Sequence, residues 1–183
     1  VKFKALQNDH EFRAFAELMR GENVRSYLEI GSKFGGSLWL AAEVMPKGSR
    51  IVAVDTPNPK TNGHLHECGV LLCQRGFDVH LIIADSTDHA TVDRVSVLGP
   101  YDVCFIDANH TLPYLSRDWD NYGPLARIVA FHDIGWDMAK NQTRLGHLPI
   151  EVPAFWNELK ANYQHKEIKV DEGNNGIGVL WKT

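Results

Sequence analysis

Asp107-Ala-Asn-His110 closes the apolar run Tyr101-Asp-Val-Cys-Phe-Ile, and His132-Asp133 closes the run Arg127-Ile-Val-Ala-Phe. Each delivers a carboxylate and an imidazole to the C-terminal end of what reads as a buried strand. In an open α/β sheet, ligands bind outside those strand ends. Carboxylates are hard oxygen donors for a divalent cation, and imidazole exchanges protons near neutral pH. The two pairs therefore point to a metal or proton-transfer centre.

A second constellation lies upstream. Tyr27-Leu-Glu-Ile-Gly31-Ser-Lys-Phe-Gly35-Gly36-Ser37 joins a first strand to its helix. Glycines let the backbone turn tightly and come close to a ligand. A helix beginning at Ser37 presents free N–H groups to an anion. Asp55 follows Gly35 by 20 residues, a separation that suits a carboxylate holding a ribose diol. A plain glycine turn followed by an exposed aspartate is the bland alternative. Together with the strand pattern, the loop and Asp55 favour a nucleoside cofactor. The dinucleotide fingerprint Gly-x-Gly-x-x-Gly is not met, because the spacing here is Glu29-x-Gly31-x-x-x-Gly35.

Apolar periodicity supplies the elements that must position these residues. Helices are predicted over 9–20, 36–45, 64–74, 87–97, 113–122 and 152–162. Strands are predicted over 24–30, 50–55, 79–84, 101–107, 127–133, 163–171 and 177–182, with Gly173-Asn-Asn-Gly176 as a turn between the last two. Short, nearly continuous apolar strands alternating with helices predict a parallel sheet covered on both faces. The closing hairpin requires an antiparallel pair. The expected fold is α/β: a Rossmann-like, doubly wound, mostly parallel seven-stranded sheet with a C-terminal antiparallel hairpin. One domain over 1–183 is expected, with a helical segment at 1–22 and a loop at 134–150 that serves as acceptor loop or lid.

Composition narrows the classes. The 183 residues are 44% hydrophobic and 23% charged, typical of a soluble globular chain. A formal net charge of −4 gives no general attraction to nucleic acid. No apolar run reaches the length that spans a bilayer, and the start carries no apolar leader core. Cys68, Cys73 and Cys104 have no metal-finger spacing, and Cys104 lies inside a strand. A reduced, cytoplasmic setting is expected.

The spacing Glu29-x-Gly31-x-x-x-Gly35 resembles the first motif of class I S-adenosylmethionine-dependent methyltransferases, and the resemblance extends from Tyr27 to Trp181. Within that family, the nearest branch is that of cephalosporin-hydroxylase-like proteins and metal-dependent sugar O-methyltransferases. Its flavour is carried by Phe105-Ile-Asp-Ala-Asn-His110, Tyr122-Gly-Pro-Leu, Ala130-Phe-His-Asp133, Val152-Pro-Ala-Phe-Trp and Gly176-Ile-Gly. The resemblance implies S-adenosylmethionine as cofactor, held by Glu29, Gly31, Gly35, Ser37, Asp55, Asp85, Ser86 and Asp107. It implies methyl transfer to a hydroxyl of a sugar-like or other small molecule. Asp107 and His110 match the branch's Asp-x-x-His element, which makes Asp107 a metal carboxylate and His110 the general base. Asp107, His132 and Asp133 are then the metal set for Mg²⁺ or Mn²⁺. The branch usually has an acid where this chain has His132, so His132 is either a ligand of an altered site, an outer hydrogen-bonding group, or a sign that no metal binds. Asp107 has a second open role, contact with the cofactor's ammonium group.

The remaining polar residues read more simply. His64 and His66 are expected as partly exposed helix residues, Asp118 and Asp120 as the solvated side of a helix, and Trp156 as core. Trp136 follows the acid–imidazole pair and is a candidate acceptor-pocket wall, and Lys140, Arg144 and His147 mark 134–150 as the acceptor-recognition segment. A homo-oligomer is one way to complete a pocket that a compact chain leaves open. Two rival functions follow from the same residues: a nicotinamide-dependent oxidoreductase, and a catalytically silent cofactor-binding domain.

Overall fold

The computed structural model describes residue 3 and residues 8–135, 149–169 and 175–182. The strands are β1 (Ser26–Ile30), β2 (Arg50–Asp55), β3 (Asp78–Ile83), β4 (Tyr101–Ile106), β5 (Ala126–His132), β6 (Gln164–Ile168) and β7 (Ile177–Trp181). They form one seven-stranded sheet in the order β3-β2-β1-β4-β5-β7-β6. Neighbours from β3 to β5 run parallel, and β7 is antiparallel to both β5 and β6. The fold is the expected Rossmann-like one with its antiparallel C-terminal pair.

Six helices cover the sheet among the described residues: α1 (Asp9–Gly21), α2 (Gly36–Ala42), α3 (Asn62–Gln74), α4 (His89–Leu98), α5 (Leu112–Tyr122) and α6 (Val152–Leu159). Strand residues alternate between the two faces. Tyr27, Ala53, Val103, Phe105 and Ala130 pack with Phe12, Phe15 and Met19 of α1 and with Leu38 and Leu72 of α2 and α3. Leu28, Val54, Cys104, Ile106 and Phe131 pack instead with Val95, Leu115, Tyr122 and Trp156 of α4 to α6. The inner strands β1, β2, β4, β5 and β7 are buried on both faces and largely apolar, with most of their polar residues near the ends. The edge strands β3 and β6 are partly exposed.

Boundaries differ from the sequence expectation where polar chemistry intervenes. Strand β1 starts at Ser26 rather than Val24, because the Asp102 carboxylate takes the backbone N–H groups of Arg25 and Ser26 at 2.7 and 3.0 Å. Helix α2 ends at Ala42, not Met45. There the chain tightens into turns, with Glu43 N–H bonding Leu40 and Val44 N–H bonding Ala41, before Pro46 forbids further helix. The predicted 152–162 helix is α6 followed by a 3₁₀ turn at Lys160–Asn162. Most of the 134–150 loop, with Trp136, Lys140, Arg144 and His147, lies outside the described residues, as do 170–174 of the hairpin turn.

Candidate active site

Parallel register brings the strand tips level. Ile30 stands opposite Ile106, and Ile106 opposite Phe131, so Gly31, Asp107 and His132 follow side by side. The ladder continues past the strands through Gly31 N–H to the Val54 carbonyl (2.8 Å), Asp107 N–H to Ile30 (2.9 Å) and Ala84 N–H to Asp55 (2.8 Å). Gly31 adopts φ +95°, and a Cβ there would lie 2.3 Å from the Asp107 carbonyl oxygen. Only glycine lets the first loop cross the β4 tip this closely.

Above the tips lies a cleft of about 330 Å³, at the lower end of the range for small-molecule sites. Of the sequence-predicted residues, Gly31, Asp55, Asp85, Ser86, Asp107 and His110 line it. Glu29, Gly35 and Ser37 do not. Glu29 is fully buried beneath the loop, accepting 2.6 Å hydrogen bonds from the Tyr27 and Ser37 hydroxyls. Burial pushes its carboxyl up to about 7, with the Ser37 and Tyr27 hydroxyls opposing the rise. Gly35 has φ +78°, and a Cβ there would sit 2.8 Å from that of Cys68, whose thiol bonds the Gly35 carbonyl. These three residues shape the loop from below.

At the β2 end, Asp55 Oδ1 accepts from Thr56 N–H at 2.9 Å, while its buried Oδ2 has no hydrogen-bond partner among the described residues. Burial raises its carboxyl, against the pull of the Thr56 and Lys33 N–H groups and the Lys33 charge. Asp55 lines the cleft, and its unsatisfied acceptor is suited to a hydroxyl donor. After β3, Asp85 Oδ1 accepts from Thr87 N–H and Oγ1 at 2.8 Å, fixing the turn. Ser86 Oγ donates to Asp118 Oδ1 at 2.7 Å. Asp118 is thus fully buried, contrary to the solvated position expected for it. It shares the inward stripe of α5 with Leu115 and Tyr122, and burial pushes its carboxyl up to about 6. Asp120 is exposed, as are His64 and His66.

The opposite end gathers the two acid–imidazole pairs. His110 Nε2 lies 3.3 Å from Asp107 Oδ1 and 3.2 Å from Asp133 Oδ2. His132 Nδ1 lies 3.4 Å from Asp107 Oδ1 and 3.2 Å from Asp133 Oδ1. Asp133 takes a left-handed φ of +63°, a strained setting of the kind found at functional sites. Burial disfavours charge on Asp107, yet the His132 and His110 imidazoles hold its carboxyl well below the usual range. Burial and the Asp107 charge raise Asp133. Burial would lower His132, but Asp107 and Asp133 outweigh it and push the imidazole up to about 9. Asp107, His110 and Asp133 each offer a ligand atom within 4.8 Å of the others. His132 and Asp133 are buried and do not line the cleft; of these four residues only Asp107 and His110 reach it.

Sequence reasoning missed Lys33, Asn109 and Tyr114, all of which line the cleft, while Pro149 and Ile150, at the end of the predicted 134–150 segment, line it too. Asn109 carried a legible signal: its Oδ1 accepts from Thr111 N–H and Oγ1 at 3.0 and 2.9 Å, the Asn-x-Thr turn that precedes a helix. Lys33 has φ +43°, a conformation nothing in its residue type announces.

A family model described as a methyltransferase domain matches residues 28–134. The chain belongs to this family, the class I S-adenosylmethionine-dependent methyltransferases, and has their fold. Among solved structures it is similar to the O-methyltransferase TomG of Streptomyces achromogenes, involved in tomaymycin synthesis and solved with S-adenosylmethionine. The two are 19% identical over 94% of this chain and 79% of that one, with a TM-score of 0.66. It is also similar to an O-methyltransferase of Bacillus cereus in complex with S-adenosylhomocysteine. That pair is 16% identical over 96% and 82% of the chains, with a TM-score of 0.70. No protein of curated function matches the chain significantly in sequence. Family membership sets aside the nicotinamide oxidoreductase. No helix among the described residues is long and apolar enough to cross a membrane.

Proposed function

We propose that the protein transfers the methyl group of S-adenosylmethionine to an oxygen of a small-molecule hydroxyl, sugar-like in its chemistry. The observation that carries this reading is one cleft lined by Asp55 at one end and by Asp107 and His110 at the other, with the buried Asp133 carboxylate against His110 from below. Asp55 receives the ribose hydroxyls, and Gly31, Asp85 and Ser86 frame the nucleoside. Methyl transfer from a sulfonium is a direct displacement, so the acceptor oxygen must be held in line with the sulfur–methyl bond. A neutral alcohol is a weak nucleophile. His110 removes its proton, and the neighbouring carboxylates stabilise the imidazolium that results.

The acid pair fits a divalent cation. Asp133 Oδ1 is buried and accepts no hydrogen bond among the described residues, and Asp107 and Asp133 present the hard oxygens that Mg²⁺ or Mn²⁺ prefers. Asp107 and Asp133 would hold the ion, with His132 Nδ1 beside them. An imidazole at that place favours Mn²⁺ over Mg²⁺. When bound, the cation lowers the pKa of the acceptor hydroxyl. Pro149 and Ile150 line the same cleft, which supports 134–150 as the acceptor-facing segment of a single domain.

Labelled S-adenosylmethionine offered with a panel of sugars, catechols, simple phenols, amines and thiols, in EDTA or in Mg²⁺ or Mn²⁺, tests the reading. Label on oxygen in at least one hydroxyl compound, raised severalfold by metal, is expected. Transfer to nitrogen or sulfur acceptors alone would overturn the oxygen assignment, and equal rates in EDTA would overturn the metal.

A further inference from the structure

Glu151 touches the candidate base from behind. Its backbone N–H donates to the His110 carbonyl at 2.8 Å, and its carboxylate Oε2 accepts from Leu112 N–H at 2.6 Å. Leu112 is the first residue of α5, whose N-cap Thr111 makes no side-chain capping bond. The orphan N–H groups of a helix start need an acceptor, and an anion there also meets the positive end of the helix dipole. A residue 39 positions away in sequence supplies that acceptor, in place of the local cap. Glu151 is itself the N-cap residue of α6 and directly follows the cleft-lining Pro149 and Ile150.

We infer that Glu151 is a positioning residue for His110. It fixes the 107–112 loop at its far end, while Asp107 and Asp133 fix the imidazole at the near end. Among the described residues, the loop is also tied at its start by Asp107 N–H to the Ile30 carbonyl, and the Asn109–Thr111 turn sets its local shape. Without the Glu151 carboxylate, the backbone bond to His110 remains but the start of α5 is released. That loosens the loop that sets the imidazole's distance from the acceptor oxygen, and misplacement of a base is costly to rate. The same contacts tie the cleft wall at Pro149–Ile150 to the base, so the acceptor side and the proton-taking group keep a common frame. This inference rests on His110 being the base.

The test compares Glu151→Ala, Glu151→Gln, His110→Ala and the Glu151→Ala/His110→Ala double variant. It uses the panel acceptor that turns over fastest, S-adenosylhomocysteine for affinity, and hydrogen exchange at the Leu112 amide. Glu151→Ala is expected to lower kcat about tenfold with S-adenosylhomocysteine affinity within about twofold, and to speed Leu112 exchange by about tenfold or more. Glu151→Gln, which keeps a carbonyl oxygen for Leu112, should recover most of the rate. In the His110→Ala background the Glu151 change should add nothing, since a residue acting through another is not additive with it. If His110→Ala is slow while Glu151→Ala turns over normally, or if the two losses add in full, the positioning role is overturned and the base stands. If His110→Ala turns over like the parent, the base assignment falls and the positioning role falls with it.

Discussion

Strands β4 and β5 have polar residues at both ends, and the two ends treat charge in opposite ways. At the N-terminal end, Arg127 reaches Asp102 at 2.9 Å and Glu22 at 3.0 Å. Asp102 also takes the N–H groups of Arg25 and Ser26, and Trp181 Nε1 donates to Glu22 at 3.0 Å. These groups are partly exposed and well supplied with partners. Burial raises Asp102, but the Arg25 N–H and the Arg127 guanidinium outweigh it and hold the carboxyl below its usual range. At the C-terminal end, Asp107, His110, His132 and Asp133 crowd together nearly out of water, and His132 Nε2 and Asp133 Oδ1 lack hydrogen bonds among the described residues. Burial without full satisfaction costs stability. One end of the strands closes the fold with satisfied ion pairs, and the other keeps buried polar atoms without hydrogen bonds among the described residues.

Changes that break this contrast differ in size. Gly31→Ala should be the most damaging, because it forces a left-handed alanine against the Asp107 carbonyl. We expect a loss of about 4 kcal/mol or more, or no soluble protein, read from urea denaturation. Asp107→Asn should lower metal-supported transfer about 100-fold or more and also lower the urea midpoint, since it removes the carboxylate that chiefly offsets the charge of the buried His132 imidazole. Unchanged rate and metal response would remove Asp107 from the centre.

The pH response separates the interior from the outer end. The folded-state pKa of Glu29, about 7, lies above the unfolded value near 4.5, so the folded state binds the proton more tightly. Stability is therefore greatest below about pH 4.5 for this group and declines as pH rises through 7, by up to roughly 3 kcal/mol. Urea midpoints at pH 5 and pH 8 should show the decline in the parent and a smaller one in Glu29→Gln. Asp102→Ala should have the smallest effect, about 1–2 kcal/mol of stability for partly exposed bonds, with transfer within about twofold of the parent. A large loss of activity with intact stability would erase the distinction between the two ends.

The sequence carried the sheet because both faces of its inner strands are buried, so β1, β2, β4 and β5 read as largely apolar runs bounded by polar tips. It carried Asp107, His110, His132 and Asp133 for the same reason, since a polar pair ending such a run has to emerge at a sheet edge. It did not carry which polar groups face the cleft and which lie beneath it. Glu29 and Asp55 both belong to strands, yet Glu29 sits inside β1 under the loop while Asp55 ends β2 at the opening. That difference lies in where the loop folds over, not in residue type. Lys33 escaped because a left-handed lysine leaves no periodic trace. Asp118 misled for a related reason: a lone acid on a helix stripe reads as solvated unless its distant partner, here Ser86, is known.

Strand β7 lies between β5 and β6, bonded to each. On the ribosome, β5 is complete long before residue 177 is joined to the chain, and until then its outer backbone groups have no mate. The waiting edge includes Ile128, Val129 and Phe131, all fully buried once β7 arrives. An apolar unpaired edge invites pairing with a foreign strand. Production of this protein should therefore be sensitive to chaperone supply and growth temperature, for a reason that lies in the order of its strands rather than in its final stability.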